Sequence, residues 1–229
     1  MRKRIIKKIL AQSGEQSYYK ENNWTEKSLN VEMEDMTHDG IADYIVTMIM
    51  LPPTVDAKED DISKLLEEGG EGYVQVFDGR EKFDPANPSK SRPIWEEGFA
   101  AARPGNIQIS LVKKDGLAYL LLSDISSYFG VYNFWYQVVW LDEKGKENVI
   151  DSANVTFDTY DHVKNEQMPI NAAQKQQIAE FKVQISKWFE DAVLLAGVGD
   201  VSLVTTPARR YAPEEFYDTV WKNIDNFAG

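Results

Sequence analysis

The chain has 229 residues, of which 43% are apolar and 12% aromatic, enough to fill a packed core and to exclude an intrinsically disordered chain. It carries 25 basic against 37 acidic residues, a net charge of -12, so the folded body repels phosphate backbones and anionic headgroups, and nucleic acid is not an expected partner. The absence of cysteine excludes disulfides, thiolate zinc sites and a cysteine nucleophile, and no run reaches the roughly 18 apolar residues that a membrane span needs.

Residues 1–23 open with Arg2, Lys3, Arg4, Lys7 and Lys8 around a short apolar stretch, and are expected to form a leader or helix rather than a signal peptide. Ser28 to Glu34 alternates, with Leu29, Val31 and Met33 on one face, as a half-buried strand does. Asp43 to Leu51 is apolar on both faces, as an interior strand is, and Pro52-Pro53 ends it. Ile62, Leu65 and Leu66 give a short helix one apolar stripe, stopped by Gly69-Gly70. Gly72 to Asp78 is a further strand, closed by an Asp78-Gly79 turn. From Arg80 to Asn106 the chain has four prolines and little periodicity, and is expected to be an ordered excursion packed by Phe83, Trp95 and Phe99.

Two antiparallel hairpins follow. Ile107–Val112 and Leu117–Ser123 are joined through Asp115-Gly116, and Val131–Leu141 and Asn148–Phe157 through residues 142–146. After Asp158 the pattern changes to helical. Asn171 with Gln174 three residues on makes a capping box, and Ile178, Phe181, Ile185, Trp188, Ala192 and Leu195 recur at alternating spacings of three and four, so one helix is expected up to Gly197. Pro213 opens a second, with Phe216, Tyr217, Val220, Trp221, Ile224 and Phe227 on its apolar side. The expected fold is a single α+β domain over 1–229. Its β-rich part, 24–160, is an antiparallel meander of roughly seven strands, and its helical part, 161–229, packs two C-terminal helices on the sheet.

The chemically specific segment is Asp35-Met36-Thr37-His38-Asp39-Gly40-Ile41-Ala42-Asp43, between the first two strands. Calcium takes oxygen ligands from a tight loop when short oxygen-bearing side chains occupy alternate positions and a glycine permits the bend. Asp35, Thr37 and Asp39 are those side chains, Gly40 the bend, Ile41 the candidate backbone carbonyl and Asp43 the closing carboxylate, while the crowding of like charges favours a neutralising cation. An EF-hand is excluded, because Val46 stands where its last ligand would be and strands replace the flanking helices. The same spacing also suits an Asp-Gly turn whose side chains cap their own backbone amides without a metal.

A strand, D-x-T-x-D-G-x-x-D and an apolar strand together resemble the calcium loops of FG-GAP or VCBS-type repeats, the blades of integrin-like propellers. The resemblance implies calcium at Asp35, Asp39, Ile41 and Asp43, with Thr37 where the family has Asp or Asn, and a role in extracellular or cell-surface binding. The loop occurs once and a closed propeller needs at least four blades, so the chain does not close one by itself.

Trp95 and Tyr128, near loops, are candidate platforms for a sugar ring, whereas the aromatic run Tyr128 to Trp140 reads as a central strand covered by helices. His38 and His162 are the two histidines, and no phosphate loop, G-x-S-x-G elbow or H-E-x-x-H pair occurs. The leading expectation is a non-enzymatic extracytoplasmic binding or surface module with a candidate calcium site and a protein or carbohydrate ligand. Two alternatives are a carboxylate-dependent glycan hydrolase and an acidic inhibitor or immunity-type protein that binds a basic partner.

Overall fold

The computed structural model describes residues 19, 21–59, 65, 68–80, 92–99, 105–128, 130–199 and 209–210. Within these residues the protein is mainly β, with one helix. A four-stranded antiparallel sheet runs in chain order through β1 (Thr25–Glu34), β2 (Asp43–Leu51), β3 (Glu71–Phe77) and β4 (Trp95–Phe99). A six-stranded antiparallel sheet is built from β5 (Gly105–Lys114), β6 (Leu117–Tyr128), β7 (Val131–Leu141), β8 (Glu147–Asp158), β11 (Val193–Gly199) and β12 (Arg209–Arg210), in the order β12-β11-β5-β6-β7-β8. The short pair β9 (Tyr160–Asp161) and β10 (Glu166–Gln167) precedes helix α1 (Ala172–Ser186).

Side-chain alternation decides how these pieces stack. Ile45, Ile49, Val74, Val76 and Trp95 of the smaller sheet meet Ile109, Leu111, Leu120, Val139 and Leu195 of the larger one in a common core. The opposite face of the larger sheet presents Tyr119, Leu121, Tyr132, Phe134, Tyr136 and Val138 to Ile178, Phe181 and Ile185 of α1. The outer face of the smaller sheet holds Leu29, Val46, Met48 and Phe77 against Tyr19 and Trp24. One face of the aromatic strand β7 is buried, with Tyr132, Phe134 and Tyr136 under the helix, while on the other Val131 is exposed, Asn133, Trp135 and Gln137 are half-buried, and Val139 and Leu141 are buried.

The hairpin turns follow their residues. Asp115 and Gly116 both take positive φ, 53° and 81°, as a two-residue type I′ turn requires. In the β7–β8 connection the Asp142 carboxylate accepts from the backbone of Lys144 and Lys146. Asn171 and Gln174 form the capping box that starts α1.

Three expectations are corrected. Strand β4 lies inside the proline-rich stretch, where Trp95–Phe99 pairs with β3. Its five residues are too few for a pattern to show against their surroundings, and the partner strand supplies the order.

The long helix stops at Ser186 instead of Gly197, and Val193–Gly199 is strand β11, paired with β5. Asp191 at φ 57° turns the chain, and the run that follows is apolar on successive residues, with Val193 and Leu195 facing the core between the sheets and Leu194 facing the helix. Without β11, β5 would be an apolar edge; pairing it is the stronger demand. The helical spacing of Trp188, Ala192 and Leu195 is real as burial but arises from a turn and a strand.

Finally, the sheet is not one meander. The strands divide into two stacked sheets, and β11 returns to the far side of β5. The expected helix after Pro213, most of the N-terminal segment, Phe83 and most of the short helix around Leu65 lie outside the described residues. Leu65 itself is helical and buried, and its carbonyl accepts from Gly70, with Gly69 at φ 109°. Among the described residues no helix is long and apolar enough to cross a membrane.

Candidate functional site

The loop between β1 and β2 starts and ends on paired residues, since Glu34 stands opposite Asp43 in the register. Between them the backbone must reverse, and its amides have no ladder partners, so the side chains of the loop supply the acceptors. Asp35 receives Asp39 N–H on Oδ1 at 3.1 Å and Gly40 N–H on Oδ2 at 2.8 Å. Asp39 Oδ1 receives Ile41 N–H at 2.8 Å. Gly40 at φ 88° makes the bend, and His38 also takes a left-handed φ of 56°.

Asp43 is fully buried, at 0% exposure. Its Oδ2 accepts from Met36 N–H at 2.9 Å, Thr37 N–H at 3.0 Å and the Thr37 hydroxyl at 3.2 Å, while Oδ1 accepts from Gly79 N–H at 2.9 Å. Burial holds this carboxyl above the ordinary carboxylate range, and the hydrogen bonds from Gly79, Thr37 and Met36 pull the other way.

The loop also reaches across to the larger sheet. Met36 is fully buried in the core between the sheets, and its carbonyl accepts from Leu141 N–H at 3.1 Å. His38 Nε2 lies 2.8 Å from the Ala118 carbonyl oxygen, so that nitrogen carries the proton; the ring stacks on Trp140 at 5.2 Å and meets Tyr119 edge-on. Lys113 of β5 pairs with Glu34 at 2.6 Å.

A cation already stands beside the carboxylates. Arg80 Nε is 3.0 Å from Asp39 Oδ2, its Nη2 2.7 Å from Asp78 Oδ2, and its Nη1 3.2 Å from Glu143 Oε1 in the β7–β8 connection. The hydrogen bonds from Arg80 hold Asp78 below the usual carboxylate range.

Among the described residues no group of three or more histidine, aspartate or glutamate side chains that could hold a metal ion occurs. Asp43 is turned inward onto four donors, Thr37 is buried and donates to Asp43, Asp35 and Asp39 cap the loop's own amides, and Ile41 is exposed at 45%. This donor set fits a self-capped turn, and the geometry gives calcium no support.

Trp95 is 7% exposed, packed in the core between the sheets, with its indole N–H donating to Glu147 at 2.7 Å, so its ring offers no face to a sugar. The Tyr128 side chain lies outside what the structure describes; its backbone pairs with Val131. His162 is on the β9–β10 turn, 3.5 Å from Asp158. A shallow cavity of about 330 Å³ beside that turn is lined by Asp158, Tyr160, Asp161, Met168, Asn171 and Gln174.

Sequence reasoning missed Arg80, Gly79, Glu143 and the roles of Met36 and His38. The Asp78-Gly79 turn was visible, but nothing local says that it closes over Asp43. Comparison of the chain with protein-family models, with known proteins and with solved structures found no match.

Proposed function

We propose that this chain is a non-enzymatic, extracytoplasmic binding module that takes a basic protein segment along strand β8 and the polar flank beside it. Placement outside the cytoplasm rests on the loop's resemblance to extracellular repeats. The binding surface rests on β8, the observation that carries the proposal. β8 is twelve residues long and is the last strand of the larger sheet among the described residues. An edge strand presents unpaired N–H and C=O groups that an extended segment can join.

One face of β8 is held by Ala153, Val155 and Phe157 against the α1 side of the sheet. The alternate residues Ser152, Asn154 and Thr156 are exposed, next to Asn133 of β7, whose side-chain oxygen accepts from Thr156. The net charge of -12 selects a partner of opposite sign, with an on-rate that falls as salt rises.

The test uses polylysine as the probe, captured at low and high ionic strength. Ser152→Lys with Asn154→Lys is expected to weaken capture more than Ala173→Lys with Gln177→Lys, which place the same added charge on the exposed side of α1. Equal losses from both pairs would remove β8 as the binding surface.

A further inference from the structure

We infer that Arg80 is the resident cation of the Asp35–Asp43 loop, and that it latches the two sheets together where a calcium-binding loop would use a metal. Its guanidinium stands beside carboxylates from three separate connections: it lies 3.0 Å from Asp39 Oδ2 between β1 and β2, a charge contact without a hydrogen bond, hydrogen-bonds Asp78 just after β3, and pairs with Glu143 between β7 and β8. The first two belong to the smaller sheet and the third to the larger. The planar fork of an arginine can serve several oxygens at once, which a lysine ammonium on its flexible stem does less well.

The latch sits on a seam that is already tight. Met36 and Leu141 share a backbone hydrogen bond across the sheets, Lys113 pairs with Glu34, and a side chain at Gly145, two residues from Glu143, would overlap the Ile94 carbonyl oxygen. Because Arg80 is tethered two residues from Asp78 it is always present at high local concentration, whereas a free divalent ion would have to displace it and break the amide caps of Asp35 and Asp39. The acidic loop is therefore neutralised from within the chain.

Thermal unfolding of the full chain in millimolar calcium and in excess chelator tests this, with Arg80→Met, Arg80→Lys and Glu143→Gln beside the native sequence. The native Tm is expected to be the same in both media. Arg80→Met is expected to lower it by roughly 2–4 °C, Arg80→Lys to recover part of that, and Glu143→Gln to have no further effect once Arg80 is Met. Should Arg80→Met fail to fold, amide hydrogen exchange of residues 36–41 is read in Glu143→Gln, where faster exchange is expected. A native Tm that rises with calcium and falls with chelator overturns the inference. So does an Arg80→Met chain with native Tm, or a Glu143→Gln chain with unchanged exchange.

Discussion

Gly79 donates its backbone N–H to the buried carboxylate of Asp43 at 2.9 Å, and the approach leaves no room for a side chain, since a methyl group on Gly79 would overlap the Ala42 carbonyl oxygen. The turn after β3 and the loop between β1 and β2 are thus one packed unit. Gly79→Ala must either push the turn away or break the bond to Asp43. It is expected to destabilise the fold by about 2 kcal/mol in denaturant unfolding. A change of a few tenths would show that the turn moves freely.

Asp43→Asn tests the other partner. The asparagine keeps one acceptor oxygen but turns an NH2 group toward backbone N–H donors, either at Met36 and Thr37 or at Gly79. A buried donor facing donors is expected to cost about 2–3 kcal/mol, measured as a lower denaturation midpoint with unchanged slope. Native stability in this variant would contradict the four-donor geometry.

His38 combines a left-handed backbone with a stack on Trp140 and a hydrogen bond to Ala118. His38→Ala loses both contacts and keeps the strained φ, whereas His38→Gly loses them and relieves it. The glycine variant is expected to be the more stable of the two by about 1 kcal/mol. Tryptophan emission should shift in both as Trp140 loses its neighbour; the reverse stability order would mean that the loop had changed conformation.

Among the described residues four carboxyls are held below their ordinary range, Asp142 and Asp161 by backbone N–H groups of their own turns, and Asp78 and Asp151 by side-chain partners. Hydrogen bonds from Arg80 do this for Asp78. At Asp151 burial acts upward but is outweighed by the Trp188 indole, the Lys187 ammonium and the Tyr136 hydroxyl. A carboxyl lowered in the folded state adds stability above its unfolded value, near pH 4, and that stability is lost as pH falls through the lower folded value. Asp43 is shifted upward and opposes this trend, because its protonation favours the folded state. The expected net result is a Tm that falls on going from about pH 5 to about pH 3, and falls less steeply in Asp78→Asn with Asp151→Asn. Parallel profiles for the native and doubly substituted chains would show that neither carboxyl carries the effect.

Periodicity was a sufficient guide wherever an element was long and had a consistent environment. The strands around Val31, Ile45, Val74, Leu120, Phe134 and Val155 stand where alternation or continuous apolar runs place them, and Asn171 and Gln174 start the helix that they cap. It failed where a partner decided the outcome. Val193–Gly199 continues a helical stripe on paper, yet the open edge of β5 draws it into the sheet. Trp95 reads both as a packing residue of the proline-rich stretch and as a loop platform; it packs in the core, but on a five-residue strand that β3 recruits.

The Asp35–Asp43 loop divides the same way. Its sequence by itself determined a tight acidic turn between two strands, since the alternate short carboxylates and Gly40 are what such a reversal needs to satisfy its own amides. Which way the remaining oxygens face was decided only in three dimensions. Gly79 and Arg80 lie more than thirty residues along the chain from Asp43 and Asp39, and Glu143 more than a hundred from Asp39. Only the stacking of the two sheets brings them to these carboxylates, and no local spacing encodes that approach.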